Sequence, residues 1–245
     1  MSVDHEFDLL NASESSVQAS RRVTKELKVW GGSLAVLAAT WISAGVGYLV
    51  APEMVPIHWN IHGQADGFGS PAALFLTPAI ATAMLGMFAV MPWISPRPFQ
   101  VNDFRSTFLD VVGLMTGLFA AIHALILAAT FEAPIDVGRW LVGVMMVFFI
   151  LIGNILGRVR RNFYIGIRTP WTIANERVWN DTHRFGGKVF VLTGAVGLGA
   201  ILLGAPVWGI FVMALIAALG PVVYSFARYR QLERSGELDG DHAAA

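Results

Sequence analysis

Six apolar runs constrain this chain more than any other feature, and they lie near residues 29–51, 71–94, 107–131, 140–157, 188–204 and 206–227. Crossing a hydrocarbon core about 30 Å thick takes roughly 20 helical residues. Four of the runs carry no charge at all. The third holds Asp110 and His123, neither of which breaks a helix. The fifth is short, but Phe185, Gly186 and Gly187 extend it and Lys188 can snorkel to the headgroups. Gly204, Ala205 and Pro206 then supply the turn into the sixth. With 55% hydrophobic residues, 14% charged residues and a mean hydropathy of +0.59, the chain reads as an all-α integral membrane protein with six transmembrane helices.

Lys and Arg set the expected orientation, because basic loops are retained in the cytoplasm. Sixteen of the seventeen fall before the first span, in the second and fourth loops, or after the last span, and Arg139 alone lies on the other side. Both termini are therefore expected to be cytoplasmic, and the loop over 52–70 to face outward. The first run follows 28 polar residues and is followed by no small-residue cleavage pattern, so it is expected to stay as a span. Residues 1–28 are rich in Ser and acid with few aromatics, which reads as a disordered or weakly helical cytoplasmic tail. The expected organisation is that tail, a four-helix membrane region over 29–157, a motif loop with two helices over 158–230, and a polar tail over 231–245.

A formal net charge of zero, with no basic patch beyond the membrane flanks, argues against direct nucleic-acid binding. The absence of cysteine removes disulfides, thiol nucleophiles and thiolate metal sites. No nucleophile motif, phosphate loop, HExxH or intramembrane carboxylate pair is present, so the chain reads as a non-enzyme without a cofactor.

The outer loop is punctuated by Pro52, Pro56, Gly63, Gly67, Gly69 and Pro71, which rule out a helical period. His58, His62 and Asp66 recur every fourth residue and would align as metal ligands on a helix. Gly63 and the Asp66-Gly67 pair argue against that helix. The better reading has Asn60 and Asp66 capping turns and Trp59 anchoring the loop at the interface.

The fourth loop, NFYIGIRTPWTIANERVWNDTHRFGGK, reads as a turn region at GIRTPW and a short helix from Asn175, an N-cap with Glu176 in the first turn. Arg177, Asp181 and Arg184 form a charged stripe with internal ion pairing. Val178, Thr182 and Phe185 run beside Trp179, His183 and Gly186. The helix is therefore expected to lie in the cytoplasmic interface between the fourth and fifth spans, apolar side down. Arg168, between Ile167 and Thr169, is placed to hold backbone carbonyls, a helix C-terminus or a ligand.

Two stretches resemble the SdpI family of bacterial and archaeal membrane proteins. NFYIGIRTPWTIANERVWNDTHRFGGKVF is similar to the family signature, and VPIHWNIHGQADGFGSP to the upstream motif, Pro-x-His-Trp-Asn followed by Gly and Asp-Gly. The outer positions that match are Pro56, His58, Trp59, Asn60, Gly63, Asp66 and Gly67. Inside they are Gly166, Arg168, Thr169, Pro170 and Trp171, followed by Trp179, Thr182, His183, Arg184, Gly186 and Gly187. The resemblance spans roughly residues 45–230. It implies an immunity protein of the plasma membrane that protects against a secreted antimicrobial peptide toxin and holds a cytoplasmic transcriptional repressor at the membrane. Ile173-Ala174 and Asn180-Asp181 depart from the usual run of the motif.

Within a span, a central Asp, Lys or Arg costs about 2.5 to 3.5 kcal/mol, so each polar residue needs a reason. Asp110 and Asn154 both lie about one turn from the inner surface and are expected to hydrogen-bond across helices, with Arg105 or Arg158 nearby. His123 lies deeper, and a neutral imidazole held by a backbone carbonyl is the simplest reading. Gly113/Gly117 and Gly153/Gly157 point to close helix packing, within or between protomers. Two function classes remain: a binding or immunity protein in the bilayer, and a transporter or metal-dependent membrane enzyme using His58, His62, Asp66 and His123 on one outer cavity.

Overall fold

The computed structural model describes residues 3–238. Helix α1 (Val3–Val50) leads into a hairpin of β1 (Val55–Trp59) and β2 (Ala65–Gly69), followed by α2 (Leu76–Ile94), α3 (Arg105–Thr130) and α4 (Val137–Leu156). The short α5 (Pro170–Ala174) precedes α6 (Glu176–Leu202) and α7 (Val207–Ser235). Six of these helices are long and apolar enough to cross a membrane. The hairpin is the one β element among the described residues.

Local chemistry sets the helix ends. Helix α1 stops where Ala51 precedes Pro52, because a following proline pushes a residue out of the helical region. Ser95, before Pro96, ends α2 in extended geometry (ψ 124°). Asp136 caps α4 by accepting from the Arg139 N–H at 2.9 Å. Gly204 (φ +81°) gives the left-handed turn from α6 to α7, which a side chain would resist.

One expectation is narrowed and another corrected. Of the two readings of the leading residues, disordered or weakly helical, the structure has the helical one: from Val3 they continue into the first span as one helix. No glycine or proline lies between Val3 and Val29, and extending an existing helix avoids the cost of nucleating one. The helix that starts after Asn175 is likewise not a separate interfacial element but the first turns of α6, the fifth span. Gly186 and Gly187, within α6, are buried against neighbouring elements. Tertiary packing there overrides their weak helix propensity.

Close backbone approach joins α4 and α6. A Cβ at Gly187 would lie 2.7 Å from the Gly153 carbonyl oxygen, and one at Gly194 2.5 Å from that of Met146. Small residues at such contacts replace the hydrophobic drive that lipid cannot supply. Gly157 meets Arg184 of α6, whereas Gly113 and Gly117 have no atoms within 4 Å of a built Cβ. The latter pair opens onto an apolar groove beside Trp140 and does not pack a helix of this chain. Elsewhere α1 lies against α3, and α7 against α6.

Candidate functional site

The outer motif is the hairpin. Val55 pairs with Gly69, Pro56 with Phe68, His58 with Gly67 and Trp59 with Ala65, with bulges on either side of His58. Bulges re-aim side chains, and the Nδ1 of His58 lies 2.6 Å from Oδ1 of Asp66. A Cβ at Gly67 would fall 2.8 Å from the His58 Cβ, so Gly67 makes room for the histidine. The Asn60 side-chain oxygen accepts from the N–H groups of His62 (2.9 Å) and Gln64 (3.1 Å), the turn role expected of it. Asp66 caps no turn, because its carboxylate is taken by His58.

The hairpin tip rests on the bundle. Gly63 (φ +81°) packs on Gly138 in the first turn of α4, where a Cβ would sit 1.9 Å from the Gly63 carbonyl oxygen. Beside it, Arg139 donates to the carbonyls of Ile201 (3.1 Å) and Ala205 (3.2 Å), closing the end of α6. On and beside the hairpin Met54, Ile57, Ile61 and Phe68 are exposed. His62 is exposed at the turn. Among the described residues no three His, Asp or Glu side chains come together as a metal site, so His58, His62 and Asp66 do not assemble. His123 is remote from them in environment: it is buried between α1 and α3, with Nε2 3.1 Å from the Ser43 hydroxyl. Its partner is a hydroxyl, not the expected backbone carbonyl.

The inner motif is a buried cradle. Trp179 is fully buried and donates from Nε1 to the Val159 carbonyl at 2.7 Å. It stacks on His183, with ring centroids 4.0 Å apart. The Ile167 N–H donates to Nε2 of His183 at 3.0 Å, which makes Nε2 the acceptor and leaves Nδ1–H to donate to the Trp179 carbonyl at 2.8 Å. Thus His183 is a neutral imidazole of fixed tautomer, locking the loop to α6. Gly166 (φ +114°) is needed twice, since a Cβ there would also lie 2.3 Å from Nε2 of His183.

Thr169 and Thr172 form a reciprocal capping box around Pro170 at the start of α5. The Thr169 hydroxyl lies 3.1 Å from that of Ser225 in α7. A Cβ at Gly186 would meet Ile167 at 2.8 Å and Pro221 at 3.2 Å, so this glycine seats both the loop and the proline of α7. Trp171 packs on Phe226 with centroids 5.0 Å apart, and Thr182 is fully buried. Arg168 donates to the Phe163 carbonyl. Arg168 and Arg184 are the exposed basic members of the motif.

Two pairings differ from expectation. Asp110 accepts from Lys25 (2.7 Å) and lies 3.6 Å from Arg158, while Arg105 pairs with Glu26. Asn154 instead donates to the Ile150 carbonyl of its own helix at 2.8 Å. The stripe on α6 is paired externally, Arg177 with Glu237 and Asp181 with Arg228 at 2.7 Å.

Sequence reading missed Asn162, Ser225 and Gly138. Asn162 is fully buried, accepts from the N–H groups of Tyr164 and Ile165, and donates to the carbonyls of Arg160 and Ile165. An Asn beside aromatic and glycine residues is an Asx-turn signal that could have revealed it. Ser225 and Gly138 act through non-local contacts that leave no local trace.

These features define an all-α membrane protein of six spans with a structured motif at each end of its bundle. Residues 158–225 match the SdpI/YfhL protein family, and residues 35–82 match a domain of unknown function (DUF1648). The chain is 24% identical over 204 residues to Immunity protein SdpI of Bacillus subtilis strain 168, an alignment covering 82% of this chain and 95% of that protein. No solved structure matches the chain. Over these stretches the chain is similar to SdpI-type proteins, and together with the six apolar helices the likeness supports a multi-pass protein of the plasma membrane.

Proposed function

We propose that the protein is a membrane immunity protein, giving resistance to a secreted antimicrobial peptide by binding it at the hairpin end of the bundle, without bond chemistry. The observation that carries this reading is the similarity to an immunity protein over 95% of that protein's length. In this reading the hairpin end faces outward and both termini are cytoplasmic, in keeping with the Lys and Arg asymmetry. The exposed Ile57, Ile61 and Phe68 beside the His58–Asp66 pair suit an amphipathic peptide. A cytoplasmic repressor, the second partner of this reading, would meet Arg168 and Arg184, because Trp179, Thr182 and His183 are buried.

The test is survival of a deletion strain challenged with culture supernatants of its own and neighbouring strains. Sensitivity should appear on deletion and be rescued by wild type but not by Asp66→Ala at matched membrane levels. Unchanged survival of the deletion strain against supernatants that kill other strains would contradict the reading.

A further inference from the structure

At the end of the bundle away from the hairpin, the first turns of α3, the α1 segment before its apolar run and the chain after α4 enclose a cavity of about 510 Å³. Six cations line it: Arg21, Arg22, Lys25, Arg105, Arg158 and Arg160. Acid answers only half of them. Lys25 is held by Asp110 and by the Ser106 carbonyl (3.1 Å) and hydroxyl (2.7 Å), Arg105 by Glu26, and Arg158 leans on the same Asp110 at 3.6 Å. Among the described residues Arg21, Arg22 and Arg160 have no ion-pair partner, although Asp103 also lines the cavity. Like charges brought together in a concave site focus a positive potential, and that potential calls for an anion.

The depth of the cavity identifies the anion. Asp110 lies one turn inside α3, and Lys25 and Glu26 lie just before the apolar run of α1, so the cavity sits where the hydrocarbon ends and lipid phosphates begin. We propose that it binds the phosphate-bearing headgroup of an anionic phospholipid, with Arg22 and Arg160 contacting the phosphate and the paired Lys25, Arg105 and Arg158 fixing the walls. Arginine suits this role because its planar fork bonds phosphate oxygens in pairs. The ion pairs behind it anchor α1 to α3, so an occupied cavity clamps these helices together. The inference stands apart from the immunity reading, because its readout is lipid binding and not resistance.

The test is native mass spectrometry of the purified full chain, titrated separately with phosphatidylglycerol and phosphatidylcholine. Phosphatidylglycerol should be retained in preference, with an affinity that falls as salt rises. Arg22→Gln with Arg160→Gln should weaken it about 30-fold, at the usual effect of a basic residue near an anionic headgroup. Arg22→Lys with Arg160→Lys should weaken it less than the Gln pair, because the charge is kept and only the fork is lost, and Arg230→Gln with Arg234→Gln, two cations outside the cavity, should keep most of the binding. An equal loss in the Arg230/Arg234 variant would overturn the proposal, as it would mean general surface attraction. So would equal retention of the two lipids by wild type, a result that needs no variant to fold. Displacement of the lipid by glycerol 3-phosphate at equal concentration would assign the cavity to a soluble phosphate instead and overturn the lipid source.

Discussion

The hairpin and the inner cradle use the same residue types to opposite ends. Each contains a histidine, a tryptophan, an asparagine and close-approach glycines. In the cradle Trp179 and His183 are buried with their ring nitrogens hydrogen-bonded inside the protein, while on the hairpin His58 is exposed and bonded only to Asp66. The difference separates a motif closed inside the protein from one open at its surface. Trp179 and His183, with their ring nitrogens bonded internally, hold the loop in place, while the exposed side chains of the hairpin are open to a partner. On the proposed reading the cradle is the scaffold and the hairpin the contact surface.

Substitutions that strain the cradle should have the largest effect. Gly166→Val demands a side chain where Nε2 of His183 lies 2.3 Å from the Cβ position. With the positive φ added, the cost should exceed about 4 kcal/mol, seen as loss of the monodisperse peak in detergent chromatography. Trp179→Phe keeps most of the packing but leaves the Val159 carbonyl buried without a donor. A loss of about 1 to 3 kcal/mol is expected in thermal unfolding. The matching hairpin change, Gly67→Ala, should cost less than Gly166→Val, about 1 to 2 kcal/mol, because only the His58 Cβ at 2.8 Å must give way and no positive φ adds strain. If Gly67→Ala unfolds the protein as Gly166→Val does, the contrast between the two ends is wrong.

The smallest effect belongs to Glu237, beyond the last span. The Ser235 hydroxyl and then the Arg177 guanidinium hold its carboxyl below the usual carboxylate range. A depressed pKa contributes stability that is present above the ordinary value and lost as pH falls through the depressed one. Glu237→Gln should therefore leave unfolding at pH 7 nearly unchanged, since the pair is exposed, and remove this acid-side change.

Much of this fold was legible in the sequence, because lipid demands long apolar helices and their charges mark the ends. Asn175 as a cap and Asn60 as a turn former were also legible, since both act within a few residues. What escaped was non-local. The hairpin escaped because His58, His62 and Asp66 drew attention to a period of four, while Val55, Ile57 and Trp59 alternate as a strand does. Asp110 was rightly seen as needing a partner, but Lys25 lies 85 positions away, and no spacing rule reaches that far. Likewise the partners of His183 and Gly186 depend on Ile167 and Pro221 arriving from other elements.

The most direct test of this division is resistance measured on folded protein. Ile57→Asp and Phe68→Asp, expressed at membrane levels matched to wild type, should unfold within about 1 kcal/mol of it, as exposed substitutions do. Their cells should nonetheless be as sensitive to the peptide as the deletion strain. Full resistance in both variants would contradict the account, since the hairpin face would then not be where the peptide is met.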